Sequence, residues 1–161
     1  MHRLLAGTLL FALLTTPAAA GEQITRALIQ QVIEASDAAT RERDAAAVGV
    51  YLGKNFTREI EFPIEDMVAH ARIGRMEYLQ MIDMGWTDAD EYSMQRDDVQ
   101  IHLMPGGISG QSYSTITEHM VIDGEEMTSR VREYAVYELE NGRPVITEVS
   151  SHKLLGDTTP D

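Results

Sequence analysis

Residues 113–153 read YSTITEHMVIDGEEMTSRVREYAVYELENGRPVITEVSSHK. The dipeptides Asp123-Gly124 and Asn141-Gly142 punctuate this stretch, and both suit the positive φ angles that a two-residue hairpin turn demands. Around them β-branched and aromatic residues alternate with polar ones at the period of a half-buried strand. The spacing predicts strands over 113–122, 127–139 and 145 to about 155, folded back on one another as an antiparallel meander. Just upstream, Val99, Ile101 and Leu103 alternate, and Pro105-Gly106-Gly107 reads as a turn.

Before Trp86 the texture is helical. Apolar residues at 24, 28, 32 and 35, continued by Ala38 and Ala39, recur at helical spacing, with Glu, Gln and Arg on the other faces. Asp44 ahead of Ala45-Ala46-Ala47 reads as the N-cap of a second, short helix that runs to about Leu52 and stops at Gly53. Residues 56–62 alternate and form a short strand ended by Pro63. Residues 67–84 read as helix in two pieces broken at Gly74, the second carrying Met76, Leu79, Met81, Ile82 and Met84. Helices first and a meander last give an α+β fold, with N-terminal helices packed on a curved antiparallel sheet, and not a βαβ array.

The 161 residues fit one domain, and 43% hydrophobic residues suffice for a core. With 13 Lys and Arg against 26 Asp and Glu, the net charge of −13 argues against a nucleic-acid partner and against anionic lipid. The chain has no cysteine, so it has no disulfide, no thiol nucleophile and no thiolate metal site.

The N-terminus has the three parts of a secretory signal. His2 and Arg3 precede an apolar run over 4–14, Thr15-Thr16-Pro17 breaks it, and Ala18-Ala19-Ala20 supplies the small residues required for cleavage. These eleven positions, broken only by Gly7 and Thr8, fall short of the roughly 20 that span a bilayer. Residues 1–20 are therefore expected to be removed, leaving a mature chain that starts at Gly21, a single domain over 21–155 and a frayed tail over 156–161. A cysteine-free chain sent to a disulfide-permissive compartment fits a periplasmic or secreted bacterial protein, with no membrane contact after cleavage.

The element order and two segments resemble the nuclear transport factor 2-like superfamily, which has a cystatin-like cone. Residues 29–56, IQQVIEASDAATRERDAAAVGVYLGKNF, resemble its opening helices, and residues 129–153, SRVREYAVYELENGRPVITEVSSHK, resemble its closing hairpin. The chain departs from that pattern at Gly142-Arg143-Pro144, where a tryptophan often follows the hairpin glycine. The superfamily includes ketosteroid isomerase, SnoaL-like polyketide cyclases, scytalone dehydratase and epoxide hydrolases, beside non-catalytic ligand-binding and dimerisation domains. The resemblance implies a cone with a pocket but no particular reaction.

Strand parity proposes which side chains face that pocket. With an even-length turn at Asp123-Gly124, Ile116, Glu118, Met120 and Ile122 share a face with Met127, Val131, Glu133, Ala135 and Tyr137. The Asn141-Gly142 turn adds Ile146, Glu148, Ser150 and His152 to the same face. This face is apolar at its turn ends and should meet the helices. Its carboxylates would then be partly desolvated, which raises their pKa toward values useful in acid–base work. They are otherwise wet at an open sheet end, or paired with an arginine such as Arg72 or Arg75.

Tyr51, Tyr78 and Trp86 would edge the cavity, beside Ile116, Glu118, Met120, Val131, Ala135 and Ile146. The nine methionines suit an adaptable apolar lining as well as simple packing. No metal-binding spacing, phosphate loop, dinucleotide fingerprint or serine-hydrolase signature occurs, so neither metal nor cofactor is expected.

Two functions remain. The first is a binding or interaction domain that holds a small apolar or amphipathic molecule between helices and sheet. The second is a cofactor-independent isomerase, cyclase or hydrolase. There Glu133 or Glu148 would act as general base, oriented by His152, with Tyr137 donating to an oxyanion. The opposite sheet face offers Tyr113, His119, Arg130, Arg132 and Tyr134, and a homodimer through that face is expected.

Overall fold

In the computed structural model, which describes residues 23–64 and 67–154, the first helix starts at Thr25, whose hydroxyl accepts from the Leu28 amide at 3.2 Å. The expected leader 1–20, the start at Gly21 and the tail 156–161 lie outside the described residues. Helix α1 (Arg26–Arg41) buries Ile29, Val32, Ile33, Ser36, Asp37 and Ala39. This stripe is rotated from the expected one, for Leu28 and Ala35 are half-buried and Ala38 is exposed. The physical reason is that Ile24 precedes the helix: its amide donates to the Gly107 carbonyl at 2.7 Å, so it cannot set the helical phase.

Helix α2 (Ala45–Gly49) is capped by Asp44, which accepts from the Ala47 amide at 2.8 Å. It is shorter than expected, because Leu52 and Gly53 already belong to strand β1 (Leu52–Ile64). Gly53 is therefore no helix stop. A Cβ there would lie 2.8 Å from a carboxylate oxygen of Glu140, which accepts from the Lys54 amide at 3.2 Å.

Residues 67–74, expected as helix, form strand β2 (Met67–Gly74). The sequence from 69 to 73 also alternates with period 2, and β1 offers an edge on which it pairs, with Glu61 opposite His70 and Ile60 opposite Ala71. Helix α3 (Arg75–Asp88) follows, and Gly74 is its N-cap, donating to the Glu77 carboxylate at 2.8 Å.

Four strands complete the sheet: β3 (Glu91–Leu103), β4 (Ser109–Ile122), β5 (Glu125–Glu140) and β6 (Arg143–Lys153). Among the described residues six strands form one sheet in the order β2-β1-β6-β5-β4-β3. Every neighbouring pair is antiparallel except β1 and β6, which run parallel, so the sheet is mixed. Both hairpin turns have the two-residue form, with φ of 53° and 81° at Asp123 and Gly124 and of 52° and 77° at Asn141 and Gly142. The helices cover the sheet over a core that includes Ile29, Val32, Ile33, Phe56, Trp86, Ile101, Ala135, Tyr137, Ile146 and Val149.

Two bulges decide which side chains enter that core. Between Asp97 and Gln100 the register of β3 on β4 shifts, and Asp98 has a φ of 56°. Arg96 and Ile101, five residues apart, thereby share the inner face. In β6 Tyr137 opposes Ile146, whereas Val136 opposes Glu148, which leaves Thr147 as the extra residue. Beyond it the parity reverses: Val149 and Ser151 face inward, and Glu148, Ser150 and His152 face outward.

Gly110 on β4 lies against Ile29 of α1, and a Cβ at this position would overlap the Ile29 Cδ1. Gly110→Ala is expected to destabilise the fold by about 1–3 kcal/mol through overpacking. The shift in chemical denaturation midpoint at unchanged slope measures it.

Candidate functional site

Asp37 is a charged residue on the buried stripe of α1, one turn beyond Ile33. It meets Arg96, which the β3 alternation of Tyr92, Met94 and Arg96 points at the same interior. The Arg96 Nε donates to Asp37 Oδ1 and Oδ2 at 3.0 and 2.9 Å, and its Nη2 donates to Oδ1 at 2.9 Å. Its Nη1 donates to Ser114 Oγ at 2.6 Å and to Glu133 Oε1 at 2.8 Å. The other Glu133 oxygen faces Arg58 Nη1 at 3.6 Å. Arg58 in turn donates to Ser151 Oγ at 3.0 Å and lies over the Tyr78 ring, 5.2 Å from its centroid. Charges thus alternate from α1 through β3 and β5 to β1.

Burial alone would raise the pKa of Glu133, but Arg96 and Arg58 outweigh it and hold the carboxyl below its ordinary value. Burial would lower both guanidinium values, but their surroundings outweigh it, the buried Tyr78 phenol and the Glu133 carboxylate at Arg58, and the Glu133 and Asp37 carboxylates at Arg96. A carboxylate held ionised by two cations is a weak proton acceptor.

A cavity of about 70 Å³ remains beside this ladder, lined by Thr40, Arg58, Tyr78, Met94, Arg96, Ile116, Glu118, Val131 and Glu133. Glu118 stands outside the ladder, and its Oε1 accepts from the Tyr92 hydroxyl at 2.7 Å. Burial first, and then Glu118, pushes the Tyr92 pKa up, so its hydroxyl stays protonated as the donor. Glu118 also borders a recess of about 300 Å³ formed with Met120, Met127, Thr128 and Ser129. It borders a second, of about 260 Å³, that includes Arg58, Ile60, Val131, Ser151 and Lys153.

Of the expected lining, Tyr78, Ile116, Glu118 and Val131 meet in the inner cavity, and Met120 joins Glu118 in the methionine recess. Trp86, Ala135 and Ile146 are core residues instead, and Tyr51 packs against the core. Tyr137 is also filled core, 1% exposed, with its hydroxyl 3.0 Å from Ser112 Oγ; burial pushes its pKa up to about 12.

The bulge at Thr147 corrects two further expectations. Glu148 lies on the outer face, 3.5 Å from Arg72, with 42% of its side chain exposed. His152 lies there too, its Nδ1 2.8 Å from Glu61 Oε1. The alternative of pairing with arginine holds for both glutamates, Glu148 with Arg72 as expected and Glu133 with Arg58 and Arg96 in place of Arg72 or Arg75. Asp37, Arg58, Arg96 and Tyr92 were missed. The charged position at helical spacing from Ile33, and the period-2 run through Tyr92, Met94 and Arg96, were the signals available.

No family model matches the chain, and no curated protein does. Solved structures do match. A candidate scytalone dehydratase from Novosphingobium aromaticivorans aligns with a TM-score of 0.67 at 9% identity, over 84% of this chain and 88% of that one. A nuclear transport factor 2-like protein from Cytophaga hutchinsonii aligns with a TM-score of 0.65 at 12% identity, over 81% and 98%. A Caulobacter vibrioides protein with a cystatin-like fold gives 0.64 at 15%, over 81% and 90%. The chain has the nuclear transport factor 2-like, cystatin-like cone fold, as its sequence resemblance implies.

Removing Arg96 would strand Asp37 and leave Glu133 with Arg58 alone, so Arg96→Met is expected to cost about 3–5 kcal/mol in denaturant unfolding. The folded pKa of Glu133 is depressed, so its share of stability is present above the ordinary value of 4.5 and is lost as pH falls through the folded value. Glu133→Gln should therefore flatten the acid side of the stability–pH curve below about pH 4.5 relative to the unmodified protein. Glu148→Gln, which breaks an exposed pair only, should change stability by less than about 1 kcal/mol.

Proposed function

We propose that this chain is a small-molecule-binding domain that takes its ligand at the open end of the cone. The observation that carries this reading is the position of Glu118. It borders the inner cavity and both recesses, while the deeper charges are consumed by their own pairing. The ladder supplies a rigid polar floor, and Met120 and Met127 supply an adaptable apolar wall. The ligand fitting both is amphipathic.

A catalytic role finds less support. Glu133, Glu148, His152 and Tyr137 do not converge: one is doubly paired, two are on the outer face and one is core.

Export by the N-terminal leader remains part of the proposal, tested by whether secreted protein begins at Gly21. So does pairing of two copies through the outer face. There the Tyr113 and Tyr134 rings meet tilted, with centroids 5.1 Å apart, beside Arg130 and Arg132 on β5, while Glu59, Glu61 and Glu148 lie toward β1 and β6. A twofold pairing would set these opposite charges against each other. Sedimentation at micromolar concentration tests it.

Native mass spectrometry of protein purified without denaturant should show a small-molecule adduct, and the protein should bind the neutral dye Nile red. Met127→Lys, at a position 42% exposed, should weaken dye binding about tenfold or more without loss of folding. Bare protein in every preparation together with no dye binding would overturn the reading.

A further inference from the structure

The methionine recess carries one charged side chain among the described residues. Its lining is Glu118, Met120, Met127, Thr128 and Ser129. Met120 and Met127 oppose each other across β4 and β5, and Glu118 is two residues along on the same face. A ligand lying on the two sulfurs therefore meets a carboxylate at the inner end of its path.

The state of that carboxylate fixes the sign of the ligand. Glu118 makes no ion pair among the described residues, and its one hydrogen bond there comes from the neutral Tyr92 hydroxyl. A carboxylate has about four acceptor positions, so most of its capacity faces the cavity and the recess. Arg58, which lines the same cavity, is committed on several sides, to Glu133, to Ser151 and to the Tyr78 ring. Of the four charged groups that line the inner cavity, Glu133 pairs with both Arg58 and Arg96, and Arg96 is shared further with Asp37 behind it, so among the described residues Glu118 is the one left without an ion pair. An anion in the methionine recess would face Glu118, its one charged side chain among the described residues, and lose its water. A cation with N–H donors would complete the pairing with a charge-assisted hydrogen bond. Lys153 borders the other recess, not this one.

We infer that the ligand is an amphipathic amine, its ammonium group on Glu118 and its apolar chain along Met120 and Met127. This inference rests on the proposal that the open end of the cone binds a small molecule, and it adds the chemical class of the head group. An alkylammonium remains protonated at neutral pH, its pKa being near that of lysine at about 10.4.

The test uses three probes that share one chain, octylamine, octanol and octanoate, each titrated calorimetrically below its micelle-forming concentration at pH 7. Octylamine should bind at least tenfold more tightly than octanol, and octanoate should bind more weakly than either. Raising the salt concentration should weaken octylamine alone. Glu118→Gln keeps an acceptor for Tyr92 and should bring octylamine down to the affinity of octanol. If that variant fails to fold, the salt series on the unmodified protein carries the same decision. Octanoate binding as tightly as octylamine, or octylamine no tighter than octanol, overturns the amine assignment and leaves the binding site standing. Failure of all three probes and of Nile red overturns the binding reading itself.

Discussion

Arg96 is the group on which the rest of this interior depends. One guanidinium joins α1 through Asp37, β4 through Ser114 and β5 through Glu133, while Glu133 passes the pairing on to Arg58 of β1. Taking such charges out of water costs several kcal/mol per ion, which excellent geometry and further hydrogen bonds must offset. Here the Asp37 contact is bidentate, and the Glu133 contact is backed by the second arginine. The result is better understood as a device of geometry than of stability. An apolar interior tolerates a helix sliding or turning by a fraction of a residue, whereas this ladder is satisfied in one placement of α1 on the sheet.

That placement requires the two bulges. Were residues 97–100 paired in regular register with no bulge at Asp98, either Arg96 or Ile101 would face outward, and the interior would lose its central cation or a core residue at 5% exposure. Were Thr147 paired in regular register opposite Val136, Glu148 would replace Val149 on the inner face. The interior would then hold a fourth carboxylate against two arginines, beside a gap where Val149 now packs. The bulge thus excludes a charge from the core as much as it admits a hydrophobe, and it leaves Glu148 to pair with Arg72 near water, where a carboxylate costs little.

This accounts for what could be read from the sequence. Both hairpins carried local turn chemistry, Asp-Gly and Asn-Gly, and every pairing derived from the first turn alone is correct along β4 and β5. The turn at Asn141-Gly142 also placed Ile146 correctly. The error began one residue later, since a bulge at Thr147 has no composition of its own and a single slip inverts every following side chain. Strand β2 was missed because Met, Ala, His and Arg suit a helix as readily as a strand, and only the edge of β1 decides between them. Asp37 escaped notice because a charged residue on an apolar face looks like a defect of the pattern until its partner, 59 residues away, is known.

The division of labour among the acidic residues bears on what the cone can do. A carboxylate that moves protons must visit both of its states near working pH, and Glu133 is locked in one by the two guanidiniums beside it. Tyr92 is locked as well, since burial and Glu118 keep its hydroxyl protonated. A donor that does not titrate, holding one oxygen of Glu118, orients the carboxylate without consuming it. That carboxylate borders the inner cavity and both recesses. Such an arrangement is poor at shuttling protons and well suited to recognising a fixed charge, because nothing in it must reorganise when the partner binds.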